Sequence, residues 1–113
     1  MKNLNEEKLS DVIVIDLTSA KENMLNEVYY ESFGGQVALA LEKILSGAAG
    51  TLQIKGTPNE IGAFAGTIAQ EARYLKTASS LGLNNPSTWN DAARLNRAIM
   101  AFQNQTGLRW PIG

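Results

Sequence analysis

Apolar positions change their period along the chain. Val12-Ile13-Val14-Ile15, between Asp11 and Asp16, is an unbroken β-branched run and predicts a short strand buried on both faces. Spacing then opens to four residues. Leu25, Tyr29, Phe33, Val37, Leu41 and Leu45, widened by Met24, Val28 and Ile44, predict a long amphipathic helix capped by Thr18 or Ser19. Gly34-Gly35 falls inside that stripe, and a glycine in a helix interior costs about 1 kcal/mol against alanine. A kink or a division into two shorter helices is expected there. Gly47 closes the segment, and Ala48-Ala49-Gly50 reads as a connector. Period two returns at Thr51 to Lys55, where Leu52 and Ile54 alternate with polar residues as in a half-buried strand. This strand is the natural partner of the first. Because a two-stranded ribbon alone is marginal, pairing of Val12 to Ile15 with a neighbouring molecule is the other expectation.

The second half is richer in boundary signals. Thr57-Pro58-Asn59-Glu60 combines a capping hydroxyl, a proline suited to the first helical position and a glutamate that can reach back. The helix it starts presents Ile61, Phe64, Ala65, Ile68, Ala72 and Leu75 and should stop at Gly82. Gly62 and Gly66, one turn apart, would let another helix approach closely. Tyr74 lies away from the stripe, as an exposed aromatic or a partner contact. A turn at Asn84-Asn85-Pro86 and a cap at Ser87 or Thr88 lead into a last helix carrying Ala92, Leu95, Ile99 and Phe102, ending near Thr106-Gly107. The two helices should form an antiparallel hairpin. Leu108, Trp110 and Ile112 continue in an extended tail broken by Pro111, and Trp110 either folds back onto the hairpin or anchors a neighbour. The expected class is mainly α with minor β (α+β). Residues 1–50 form an arm, strand and amphipathic helix, and residues 51–113 form a strand, hairpin and tail.

Composition narrows the chemistry. A length of 113 residues with 44% hydrophobic content suits one domain with a modest core. There is no cysteine and no histidine, which removes disulfides, thiolate nucleophiles, most zinc sites and the usual neutral-pH general base. The expectation is a protein that is not an enzyme and takes no cofactor or small-molecule substrate. No apolar run is long enough for a membrane span or a signal peptide, so a soluble product made in the cytoplasm is expected. Glu6, Glu7, Asp11 and Asp16 lack the ligand alternation of a calcium loop, and the glycine pairs lack the lysine and hydroxyl of a phosphate loop.

Charge is divided unevenly. Residues 1–50 hold four lysines against eight acids, whereas residues 51–113 hold six cations against three acids. This reads either as ordinary solvated surface or as an acidic half of one copy meeting the basic half of another. Arg94 and Arg97 share the solvent side of the last helix with Asn90 and Asn104, an arrangement that a phosphate-contacting helix would offer. The chain is slightly acidic overall and matches no DNA-reading motif, so nucleic-acid binding is the minor alternative.

The stretch Ile54-Lys55-Gly56-Thr57-Pro58-Asn59-Glu60-Ile61, with Ala69-Gln70-Glu71-Ala72-Arg73-Tyr74 and the ending Thr106-Gly107-Leu108-Arg109-Trp110-Pro111, resembles small uncharacterised structural proteins of tailed bacteriophages. The resemblance covers the back half and implies a virion component, with copies of itself or other virion proteins as partners. It assigns no residue roles. On the residues themselves, Val12, Ile13, Val14, Ile15, Leu25, Tyr29, Phe33, Tyr74 and Trp110 are the candidate partner contacts, and Arg94 and Arg97 serve the nucleic-acid alternative.

Overall fold

The structure is a computed structural model that describes residues 12–47 and 52–112. Six elements follow in order: β1 (Ile13–Asp16), α1 (Leu17–Glu22), α2 (Glu27–Ser46), β2 (Leu52–Lys55), α3 (Pro58–Leu81) and α4 (Pro86–Thr106). Helix takes up 73% of the described residues, and the two strands form one small parallel sheet, so the chain is mainly α with minor β. The expected pairing of the two strands is present, with Ile13 opposite Leu52 and Ile15 opposite Ile54. Parallel strands require a crossover, and α1 and α2 supply it.

Three local expectations are corrected. The strand is not buried on both faces, because it has a helical layer on one side only: Ile13 and Ile15 point into the core while Val12 and Val14 remain 38% exposed. The first long helix does not begin at Thr18 or Ser19 or carry Leu25. Asp16 caps α1, its carboxylate accepting from the Ser19 amide at 3.0 Å, and α1 ends at Asn23 after six residues. Asn26 then caps α2 through the Tyr29 amide. The division therefore falls at Asn23 to Asn26, where two carboxamides satisfy helix ends. One helix continues through Gly34-Gly35. The last helix is likewise capped two or three residues earlier than expected, by Asn85 accepting from the Ser87 amide, with Pro86 in its first turn. The arm and the Ala48-Ala49-Gly50 connector lie outside the described residues.

The box at Thr57 forms as expected. Its hydroxyl accepts from the Glu60 amide at 3.2 Å while Glu60 accepts from the Thr57 amide at 3.0 Å. Glu60 is buried, and Lys21 of α1 pairs with its second oxygen. This couples the cap to the front of the chain. The Lys21 contact and the cap amide hold the Glu60 carboxyl below its usual range, and the Ser19 amide does the same for Asp16.

One core runs through the described elements. Ile13, Ile15 and Leu17 meet Phe33, Val37 and Leu41 of α2 and Phe64 and Ile68 of α3 in a single buried cluster. Contacts between α3 and α4 step backward along one helix as they step forward along the other: the Thr77 hydroxyl donates to Asp91 at 2.6 Å, and the Thr67 hydroxyl reaches the Ala98 carbonyl at 3.0 Å. The tail seals the base of this pair. Phe64, Phe102 and Trp110 pack in tilted and edge-on contacts with centroids 5.2 to 6.2 Å apart. The Trp110 indole donates to Glu71 at 3.0 Å, so that buried carboxylate has a partner. Pro111 then crosses α2 at Gly34, where an added Cβ would sit 3.3 Å from the proline ring. Gly34 thus has a packing role in the middle of a helix.

Candidate interaction surface

The nine candidate contact residues are split by the fold. Ile13, Ile15, Phe33 and Trp110 belong to the core and are withdrawn as contacts. The physical reason is the same for each: the faces they occupy are covered by the chain's own helices or tail. Tyr29 and Tyr74 are half-buried. Val12, Val14 and Leu25 face outward, and Leu25, in the turn before α2, is 95% exposed.

Outward valines lie on a sheet of two strands, so each strand has one edge that no other described strand covers. Such an edge offers backbone donors and acceptors to an added strand. Val12 and Val14 supply apolar side chains on the uncovered face, beside Gln53 and Lys55 of β2.

A second surface is the outward side of α2. Val28 is 77% exposed, and at helical spacing it aligns with Ser32, Gly35 and Leu39, with Glu31 and Glu42 along one border. None of these residues belongs to the stripe read from the sequence except Val28. A four-residue repeat emphasised the inner face, while the weaker outer repeat is interrupted by serine and glycine.

A third surface is the shallow groove between α3 and α4. Gly62, Ala63, Gly66, Ala98 and Ala101 form its floor, and Arg94 and Arg97 stand on its α4 side. Gly62 and Gly66 were expected to admit a neighbouring helix. Within the described residues nothing lies within 4 Å of where either Cβ would be. The groove is open. Arg94 is 4.0 Å from Asp91, which also pairs with Arg73 at 3.3 Å, and this carboxylate tempers the local positive charge.

The tail and α2 enclose a recess of about 760 Å³ beside Glu27, Tyr30, Glu31 and Arg109. Arg109 stacks over the Tyr30 ring at 4.9 Å from its centroid. Burial pushes the Tyr30 hydroxyl pKa up, against the opposing effect of Arg109. The buried Tyr30 hydroxyl has no hydrogen-bond partner among the described residues. Among the described residues no three acidic side chains converge to hold a metal ion, and no helix is long and apolar enough to cross a membrane.

A scan of family models, a search of curated proteins and a search of solved structures each give no match.

Two further features were missed in the sequence, and only the first had a faint signal there. No residue from Thr77 to Asn90 is charged, and the α3–α4 turn it contains leaves Leu81, Leu83 and Trp89 exposed. Asp91, by contrast, is buried beneath Arg73, and nothing in its spacing distinguishes it from a solvated acid.

Proposed function

We propose that the protein is a non-enzymatic structural subunit of a bacteriophage virion, a capsid- or head-associated accessory or assembly protein. It acts through contacts with copies of itself or with other virion proteins, and it resides in the virion after synthesis in the host cytoplasm. The observation that carries the reading is the uncovered edge and outer face of the β1–β2 ribbon, with Val12 and Val14 turned away from the core. The resemblance of the back half to phage structural proteins supplies the setting. In this scheme a neighbour adds a strand to the ribbon, and α3 and α4 act as an antiparallel hairpin that gives the subunit a rigid body.

Removing residues 1–17 is a poor test, because Ile15 and Leu17 are completely buried and the fold would be lost with them. Val12→Lys with Val14→Lys places charge on the outer face while leaving the core intact. The expected result is a folded chain, by circular dichroism, that is missing from purified phage particles analysed by mass spectrometry. Wild-type protein missing from particles would overturn the structural role. The alternative, a small cytoplasmic nucleic-acid-binding regulator, rests on the exposure of Arg94 and Arg97. Its mark would be salt-sensitive DNA binding lost in the Arg94→Ala, Arg97→Ala variant.

A further inference from the structure

We propose that copies of this chain associate head to tail, the outward stripe of α2 on one copy seating in the α3–α4 groove of the next. The inference rests on the assembly reading above and names its partner as a second copy of the chain.

Glycines are the first argument. Gly35 on α2 and Gly62 and Gly66 on α3 sit inside long helices, where each costs roughly 1 kcal/mol against alanine. None has a positive φ, and apart from its own helix backbone none has a described neighbour within 4 Å of its would-be Cβ. Gly34 and Gly56 differ, since Pro111 crowds the first, and Leu17 and Glu60 crowd the second. Packing among the described residues therefore explains Gly34 and Gly56 and leaves the other three unexplained. A close-approaching helix backbone explains all three together: Gly35 lies midway along one exposed stripe, and Gly62 and Gly66 line the floor of the other surface.

Charge is the second argument. The α2 stripe is bordered by Glu31 and Glu42, and the groove is bordered by Arg94 and Arg97, all four exposed. Each surface is repelled by its own kind and attracted by the other. An isologous contact of groove with groove would place arginines against arginines, so the favoured contact joins two different patches. Apolar side chains complete the match, as Val28 and Leu39 project from the stripe toward a floor of alanine and glycine. Two different patches on one chain generate a ring or a filament.

The test is the molar mass of the full chain by sedimentation equilibrium across a wide concentration range. Wild type is expected to grow in mass with concentration, less so at high salt. Gly62→Leu with Gly66→Leu fills the groove with good helix formers, so it should melt no lower than wild type while associating at least about tenfold more weakly. Glu31→Arg with Glu42→Arg and Arg94→Glu with Arg97→Glu should each associate about tenfold more weakly alone. Mixing these two charge-reversed chains should restore hetero-association. A wild type that stays monomeric throughout, or one whose association ignores both the leucines and the charge reversals, overturns the proposal. Incorporation into phage particles is read separately, so failure here is distinguishable from failure of the virion role.

Discussion

On its inner side the α3–α4 pair carries Phe64 and Phe102, closed over by Trp110; on its outer side the same two helices show Gly62, Gly66, Ala98 and Ala101 to solvent. The inner side is finished within one chain. Its aromatic rings interlock and Glu71 meets the indole, while between the two sides the Thr67 hydroxyl reaches the Ala63 and Ala98 carbonyls. The outer side has small residues, two arginines and open space where a Cβ would go. The face that closes the core and the face proposed for recognition therefore lie opposite one another on the same helices, and substitutions on the two faces should move stability in opposite directions.

The largest effect is expected at Trp110. Trp110→Ala removes the tail's anchor and leaves Glu71 buried without its indole donor, and large aromatic truncations of this kind cost about 3–5 kcal/mol. Urea denaturation should show the loss, and a change under 1 kcal/mol would mean that the tail does not seal the pair.

Acid should come next. Asp16 and Glu60 both have folded pKa values below their ordinary ones, so their contribution is complete above the unfolded values and is lost as pH falls through the folded ones. Each is a helix-cap contact worth roughly 1 kcal/mol. Melting temperature should therefore decline below about pH 4.5, and Glu60→Gln should flatten that decline. An unchanged pH profile in Glu60→Gln would remove Glu60 from the account.

A finer comparison uses two adjacent glycines. Gly35→Ala meets nothing and should gain about 0.5–1 kcal/mol from helix propensity, whereas Gly34→Ala presses on Pro111 and should gain less or lose. Equal gains at both positions would show that the tail does not seat on α2. The smallest effects belong to the groove floor. Gly62→Ala and Gly66→Ala should each stabilise the monomer by a few tenths to about 1 kcal/mol in thermal melts, and a loss at either would reveal a packing contact inside the chain.

Boundaries at Thr57, Gly82 and Gly107 were legible because a cap is a local transaction. A threonine three residues before a glutamate, or a glycine where the chain must turn left-handed, needs no knowledge of the rest of the molecule. The caps at Asp16 and Asn85 were equally local, but neighbouring serines and threonines offered competing positions. The pairing of Ile13 to Asp16 with Leu52 to Lys55 followed from composition and alternation, while its parallel sense followed from the crossover through α1 and α2.

What the candidate surfaces are could not be read locally. Whether Phe33 or Val28 faces outward depends on which side of α2 another element covers, and two apolar stripes on one helix look alike until α3 and the tail arrive. Glu71 and Asp91 are solvated acids by sequence and buried ones by structure, because Trp110 and Thr77 reach them from distant parts of the chain. Helix type and the helix ends at Gly47, Thr57, Gly82 and Gly107 lay in the sequence itself, since they depend on groups a few residues apart. Tertiary packing alone chose which faces to close and which to leave open, because burial is a property of what lies opposite a side chain.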